Sequence, residues 1–307
     1  MSAPSRVDAC GDRLRALFTH AHPDDESSKG AATMARYVAE GIRVVVCTLT
    51  GGERGDILNP KLDTPENNAR LPELRKAEME RARAILGVEQ VWLGYEDSGY
   101  FEGEPWPPTP PGSLAAAPVE EAAARLAPLL RELRPHVVVT YDERGGYPHP
   151  DHIMTHRVTM AALDLAADPA ALPAAGPAWI VPKVYYQMGF HRRRFAKLDR
   201  LMHERGLVSP YADRLRDWQE DEMADRLTTF VPCADYFEVR DKALLAHATQ
   251  VDPDGPWFAV PLDIQKAGWP TEDYELVRST VPTALPESDL FAGLACPAAA
   301  SADDWRI

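Results

Sequence analysis

Cysteine is scarce in this chain of 307 residues: Cys10, Cys47, Cys233 and Cys296 are scattered, with no CxxC pair among them. That spacing excludes a disulfide framework and a thiolate zinc site, and it suits a reducing compartment. Long apolar runs are also missing. No stretch approaches about 20 apolar residues, and Met1 to Cys10 lack a signal-peptide core, so the chain reads as cytoplasmic and without a membrane partner. Basic charge is in deficit, with 33 Lys and Arg against 47 Asp and Glu and a net charge of −14. Nucleic-acid binding rests on clustered basic residues and is not expected. A dinucleotide fingerprint is absent as well: in Thr50-Gly51-Gly52-Glu53-Arg54-Gly55-Asp56 two glycines are adjacent, and the GxGxxG spacing fails. There is no internal repeat.

What remains is an ordinary globular composition, 45% hydrophobic and 26% charged, enough for a real core. Short Val-rich runs alternate with helical segments. Strands are expected at 14–19, 42–49, 90–93, 136–141 and 183–188. Helices are expected at 27–40, 71–86, 119–133 and 151–167, with another at 236–248. Gly41 and Gly87 stand where helix ends want a left-handed residue. Residues 57–69 read as irregular. The proline-dense stretch 100–118, which holds Phe101 and Trp106, reads as a long structured loop. The β-α-β-α alternation predicts an α/β, Rossmann-like, mostly parallel sheet with helices on both faces and a smaller C-terminal α+β portion. The expected division is 13–178 for a metal-binding catalytic domain and 179–295 for a smaller portion completing the substrate pocket.

Two clusters follow expected strands, where ligands bind in open α/β sheets. The first is His20-Ala21-His22-Pro23-Asp24-Asp25-Glu26. The second is Tyr147-Pro148-His149-Pro150-Asp151-His152, and three of the nine histidines fall between His149 and His156. A turn and a helix cap would explain one cluster alone; two make a composite metal site the better reading. The proposed ligands are His22, Asp25 and His152, with His149 or His156 as alternatives for the third. Two imidazoles and one carboxylate leave an open position, the pattern of a catalytic zinc. Another divalent metal such as Fe2+ also fits. Asp24 is the expected general base. His149 is expected to protonate a leaving amine, with Asp151 holding it charged, and Tyr147 to donate to an oxyanion. His20 and His136 read as structural, and Glu26 as support for a helix start.

These signatures resemble the LmbE-like, or PIG-L, zinc deacetylase family, with the likeness running from about Arg15 to Asp168. The resemblance implies a Rossmann-like fold, one metal on His22, Asp25 and His152, Asp24 as base, and His149, Asp151 and Tyr147 assisting. Further segments, from Ser27-Ser28-Lys29-Gly30 to His247-Ala248-Thr249-Gln250 and Trp269-Pro270-Thr271-Glu272, resemble the branch that cleaves thiol conjugates of glucosaminyl-inositol. It implies a small-molecule thiol conjugate as substrate. Lys29 would read the acyl group, while Glu53, Arg70, Asp97 and His247 would contact the rest of the substrate. The rival readings are an N-acetylglucosaminyl-inositol deacetylase and a non-catalytic sugar-binding α/β domain. Retention of both a base and an acid beside the ligands weighs against the latter.

Overall fold

The structure, a computed structural model, describes residues 6–8, 11–101, 106–218 and 222–294. Its centre is a sheet of seven strands: β1 Arg15–His20, β2 Arg43–Thr50, β3 Glu89–Tyr95, β4 Val137–Thr140, β5 Lys183–Gln187, β6 Thr229–Pro232 and β7 Thr271–Ser279. Side chains alternate across a strand, and here both faces are apolar. Ala16 and Phe18 of β1, with Val44 and Val46 of β2, enter one core cluster. Leu17, Val45 and Cys47 enter another. That is why these strands read as unbroken hydrophobic runs: helices cover both sides.

The helices described are α1 Asp25–Ser28, α2 Ala31–Ala39, α3 Pro65–Ala69, α4 Leu71–Leu86, α5 Val119–Leu133, α6 Pro150–Ala167, α7 Arg192–Glu204, α8 Ala212–Asp217, α9 Glu222–Asp225, α10 Phe237–Ala246 and α11 Leu262–Gly268. Residues of α2, α4 and α10 pack on the Phe18 face, and residues of α5 and α6 on the Leu17 face. None of the described helices is long and apolar enough to cross a membrane.

Strand order is β3-β2-β1-β4-β5-β7-β6. Strands β3 to β5 of that order pair in parallel, while β7 pairs antiparallel with both β5 and β6. The mostly parallel α/β sheet expected from the sequence is therefore present, and it continues past residue 178 into the C-terminal strands. The chain leaves β1 towards β2 and β3, then returns to lay β4 on the other side of β1. The carboxyl ends of β1 and β4 thus flank the point where strand order reverses, where a crevice opens. Both titratable clusters begin there.

Some local readings change. The single helix expected at 27–40 is two, broken at Lys29 and Gly30. Gly30 has φ +84°, and a Cβ there would stand 3.3 Å from the Phe18 ring. The break turns Lys29 back towards α1. Strand β6 and helices α3 and α11 went unread in the sequence. Cys47 and Cys233 are buried free thiols, and burial pushes Cys47 up to about 12. Cys10, Cys296 and residues 102–105 of the proline-dense stretch lie outside the described residues.

Candidate metal centre

After β1 the chain makes a tight turn through Pro23, and α1 starts at Asp25. This puts His22 and Asp25 three residues apart on one turn. His22 Nδ1 lies 3.6 Å from Asp25 Oδ2. From the other side of the crevice, His152 in the first turn of α6 brings its Nε2 to 3.3 Å from the same oxygen. Donors bound at about 2.0–2.2 Å to one tetrahedral ion stand about 3.3–3.6 Å apart.

The ring tautomers agree with that arrangement. His152 Nδ1 sits 2.9 Å from the Gly145 carbonyl, so its proton belongs there, and the buried Nε2 lone pair has no partner. His22 Nε2 faces Asp151 Oδ2 at 3.3 Å, which frees Nδ1 for the centre. A ligating histidine commonly engages its second nitrogen in this way. Gly145 must be glycine for the approach, because a Cβ there would lie 2.7 Å from the His152 Cβ. The donors His22, Asp25 and His152 therefore fit a divalent cation. A second group of buried donors, His22, Asp97, His149 and Asp151, also lies close together. Its oxygens are already engaged: Ser98 N–H donates to Asp151 Oδ2 at 2.8 Å, Ser98 Oγ to Asp151 Oδ1, and Gly99 N–H to Asp97 Oδ1 at 2.8 Å.

The charges reinforce one another. Burial disfavours a charged His22, yet hydrogen bonds to Asp151, Asp25 and Asp97 raise its pKa well above the ordinary imidazole range; a bound cation would take the place of that proton on Nδ1. Burial also works against a charged Asp25, but the charges of His152 and Lys29 carry it well below the usual carboxylate value.

Asp24 lies at the mouth of the crevice with a partly exposed side chain. Burial raises its pKa, against the opposing charge of Arg75. Its backbone has φ 120°, a region costly to a residue with a Cβ. Two buried groups hold it there. Glu26 Oε2 accepts from Asp24 N–H at 2.9 Å. Arg75 Nη2 donates to Pro23 O at 2.6 Å and to Asp24 Oδ2 at 3.1 Å, while its Nη1 reaches Gly52 O at 3.0 Å. Removing this guanidinium would leave buried acceptors unpaired, at about 1–3 kcal/mol each. Arg75→Met is therefore expected to lower the melting temperature by roughly 5–10 °C. Equal melting curves for variant and wild type would show that Arg75 does not hold the loop.

Several sequence expectations are corrected. Asp151 does not hold His149: its carboxylate engages His22 and Ser98, and only its backbone N–H reaches His149 Nδ1, at 3.1 Å. His149 caps α6. His149 is not poised as a cation either, because burial and the charges of His22 and His152 push it down to about 2. With Nδ1 accepting, its proton sits on Nε2. The Lys29 ammonium is committed to Asp25 Oδ1 at 2.5 Å and Ser28 Oγ at 3.2 Å, although the residue still lines the pocket. His247 does not face a substrate: it is fully buried, 2.7 Å from Glu26 Oε1. That pair holds Glu26 down to about 2, because the charge of His247 outweighs the burial penalty. Arg70 is exposed and pairs with Glu73 at 3.3 Å; the structure does not bring it to the cluster.

Other expected residues are near. Asp97 Oδ1 lies 3.6 Å from His22 Nε2. Glu53 folds back to accept from Asp97 N–H at 3.1 Å. Tyr147 packs edge-on to both His149 and His152. His156 Nδ1 is 3.0 Å from the Tyr141 carbonyl, away from the other donors. His20 is buried between Phe18 and Tyr141, and burial lowers it to about 4.

Three contributors were missed. Arg75 was one helical position among many. Ser98 lay in plain view in Asp97-Ser98-Gly99. Tyr141, read as the end of a strand, donates from its hydroxyl to Asp25 Oδ2 at 2.7 Å and stacks its ring on His152.

A pocket of about 410 Å³ opens beside these residues. Asp24, Asp25, Lys29 and Tyr147 form one wall, and Phe190, Leu244, Val251 and Trp257 the other.

A family model described as PIG-L, GlcNAc-PI de-N-acetylase, matches residues 17–163. A mycothiol S-conjugate amidase from Streptomyces coelicolor is 58% identical over 289 residues, which span 92% of this chain and 98% of that protein. A 1D-myo-inositol 2-acetamido-2-deoxy-alpha-D-glucopyranoside deacetylase from Streptomyces avermitilis is 41% identical over 296 residues, 92% of this chain and 97% of that protein. Among solved structures, an N,N'-diacetylchitobiose deacetylase from Pyrococcus horikoshii superposes with a TM-score of 0.58 at 18% identity, covering 86% of this chain and 83% of its own. A 4-carboxy-2-hydroxymuconate hydratase from Pseudomonas putida superposes at 0.56 and 18% identity, covering 89% of this chain and 99% of its own. A hydratase on the same scaffold shows that these two likenesses carry the fold and not the reaction. The reaction class comes from the sequence relatives, amidases and deacetylases over nearly their full length, and the chain belongs with them to the PIG-L family of amide-hydrolysing enzymes.

Proposed function

We propose that this chain is a zinc-dependent amidase that hydrolyses the amide between glucosamine and the cysteinyl group of mycothiol S-conjugates, releasing a mercapturic acid and glucosaminyl-inositol. The observation that carries this reading is the identity gap, 58% to the Streptomyces coelicolor amidase against 41% to the Streptomyces avermitilis deacetylase, each over most of the chain. The pocket is consistent with it, since about 410 Å³ beside Asp25 exceeds what an acetyl group requires. The substrate is a small-molecule thiol conjugate, and the acidic chain is not suited to nucleic acid. The reaction is assigned to the cytoplasm. Residues 13–178 supply the donors, and 179–295 complete the pocket through Phe190, Leu244 and Trp257.

His22 Nδ1, Asp25 Oδ2 and His152 Nε2 would hold the metal, zinc in the first instance or Fe2+. Bound there, it supplies Lewis acidity, polarising the scissile carbonyl and acidifying water. Arg75 fixes Asp24 Oδ2, leaving Oδ1 to take the proton from the attacking water. Tyr147 turns its hydroxyl to the oxyanion that develops at the carbonyl. Asp24 then delivers the proton it has taken to the leaving nitrogen, while His149, with its proton on Nε2, lines the site as a neutral hydrogen-bond donor. Glu53 and Asp97 are placed for the sugar hydroxyls, and Lys29 keeps Asp25 ionised and in place.

The test compares a bimane–mycothiol conjugate with N-acetylglucosaminyl-inositol under matched metal loading. The conjugate is expected to have the higher kcat/KM by about tenfold or more, the scale on which a site discriminates groups it contacts directly. The opposite preference would make the chain a deacetylase.

A further inference from the structure

Adjoining the pocket is a second, smaller chamber of about 90 Å³. The two share Ser28, Phe190, Leu244 and Trp257, so the chamber reaches away from the metal ligands on the Lys29 side. Its far wall comes from the C-terminal half of the chain: Gln187 at the end of β5, Arg194 on α7, Arg240 on α10 and Gln265 on α11.

Most polar groups of this wall satisfy one another. Arg240 Nη2 donates to Gln265 Oε1 at 2.8 Å, Arg240 Nε to Asp241 Oδ1 at 2.8 Å, and Gln265 Nε2 to Val260 O at 2.9 Å. Two groups are left over. Arg194 Nε is buried without a hydrogen-bond partner. Gln187 is only 9% exposed, and its side-chain amide makes no hydrogen bond among the described residues. The two converge: a Cβ at Gly189 would stand 3.2 Å from Gln187 Nε2 and 3.9 Å from Arg194 Nη1. The missing side chain at 189 leaves space between them. Buried polar groups are ordinarily paired, so the buried, unpaired Arg194 Nε, beside a Gln187 amide that opens into the chamber, calls for a polar group that arrives with the substrate.

We propose that this chamber binds the acetamido group on the cysteinyl arm of the substrate, an inference that rests on the amidase reading above. A secondary amide carries one donor and one acceptor. The Gln187 amide offers the complement of both, and Arg194 adds a donor for the carbonyl. The chamber is a fraction of the main pocket in size, which suits a short polar branch and not a sugar ring. The variable S-linked group is left to the open rim, where Leu58 and Trp257 are 63% and 47% exposed and offer apolar surface without a fixed shape. The acetamido group is invariant among such conjugates, while the S-substituent changes. A closed polar chamber for the one and an open apolar rim for the other divide recognition accordingly.

The experiment uses two S-alkyl substrates amide-linked to glucosaminyl-inositol, one acylated with N-acetylcysteine and one with the matching 3-thiopropionyl group, which lacks the acetamido branch. Wild type is expected to favour the first in kcat/KM by about tenfold or more, the size of one buried hydrogen bond. Gln187→Leu is expected to cut that preference to within about twofold, with metal content and the rate on the truncated substrate unchanged. Arg194→Met is expected to reduce it in the same direction, and serves as a second probe should Gln187→Leu fold poorly. Full preference in both variants overturns the proposal. Wild type that cleaves both substrates equally overturns it while leaving the amidase reading intact, whereas wild type that cleaves neither overturns the amidase reading itself.

Discussion

Asp25→Ala and His152→Ala are expected to purify without bound metal and without measurable turnover. Each removes one of three donors whose mutual spacings, 3.6 and 3.3 Å about Asp25 Oδ2, fit a single ion, and among the described residues the neighbouring donors Asp97, His149 and Asp151 are engaged elsewhere. Asp25 is the more exposed to loss, since the same carboxylate receives the Tyr141 hydroxyl, the Lys29 ammonium and the His22 N–H. His149→Ala and His156→Ala are the controls. His149 Nδ1 accepts from Asp151 N–H and His156 Nδ1 is held by the Tyr141 carbonyl, so both variants should keep the metal. Elemental analysis of the purified variants reads the result directly. Full occupancy in Asp25→Ala or His152→Ala, or loss in His149→Ala alone, would require a different ligand set.

Asp24→Asn is expected to retain the metal and to lose about 10²–10⁴ in kcat, the usual contribution of a positioned general base. Asparagine keeps the size of the side chain and tolerates unusual backbone conformations better than most residues, so the loop should survive. The effect belongs in kcat, because proton transfer from the attacking water takes place after substrate is bound. A kcat within a few-fold of wild type, measured on metal-saturated protein, would remove Asp24 from the reaction.

Much of the scaffold was legible because its strands carry their signal locally. The runs Val44 to Val46 and Val137 to Val139 are apolar on both faces and announce a doubly covered parallel sheet. The cluster of His22, Asp25 and His152 was legible for a similar reason: His22 and Asp25 share one turn, and His152 sits one turn into a helix behind another strand. What escaped is non-local. Arg75 meets Asp24 across fifty-one residues of chain, and nothing in Leu74-Arg75-Lys76 marks the central residue for burial. Arg70, by contrast, sat on a loop and looked available, yet its partner is the neighbouring Glu73. Asp151 followed His149 so closely that a carboxylate–imidazole pair was the natural expectation. The start of α6 instead turns the two apart, giving His149 the cap and Asp151 the ring of His22. Helix α11 and strand β6 went unread because they are short and lie among prolines and aromatics, where periodicity has no length in which to emerge.

The tie between Glu26 and His247 has a consequence for how the protein is made. All three donors have been synthesised once the chain reaches residue 152, but Glu26, which receives the Asp24 N–H, is itself fastened by a histidine from the end of α10. Translation at about 5–20 residues per second separates those two events by several seconds or more. During that interval the turn carrying Asp24 has the Arg75 guanidinium as its partner but not the Glu26–His247 pair. The C-terminal part of the chain thus completes the restraint on Asp24.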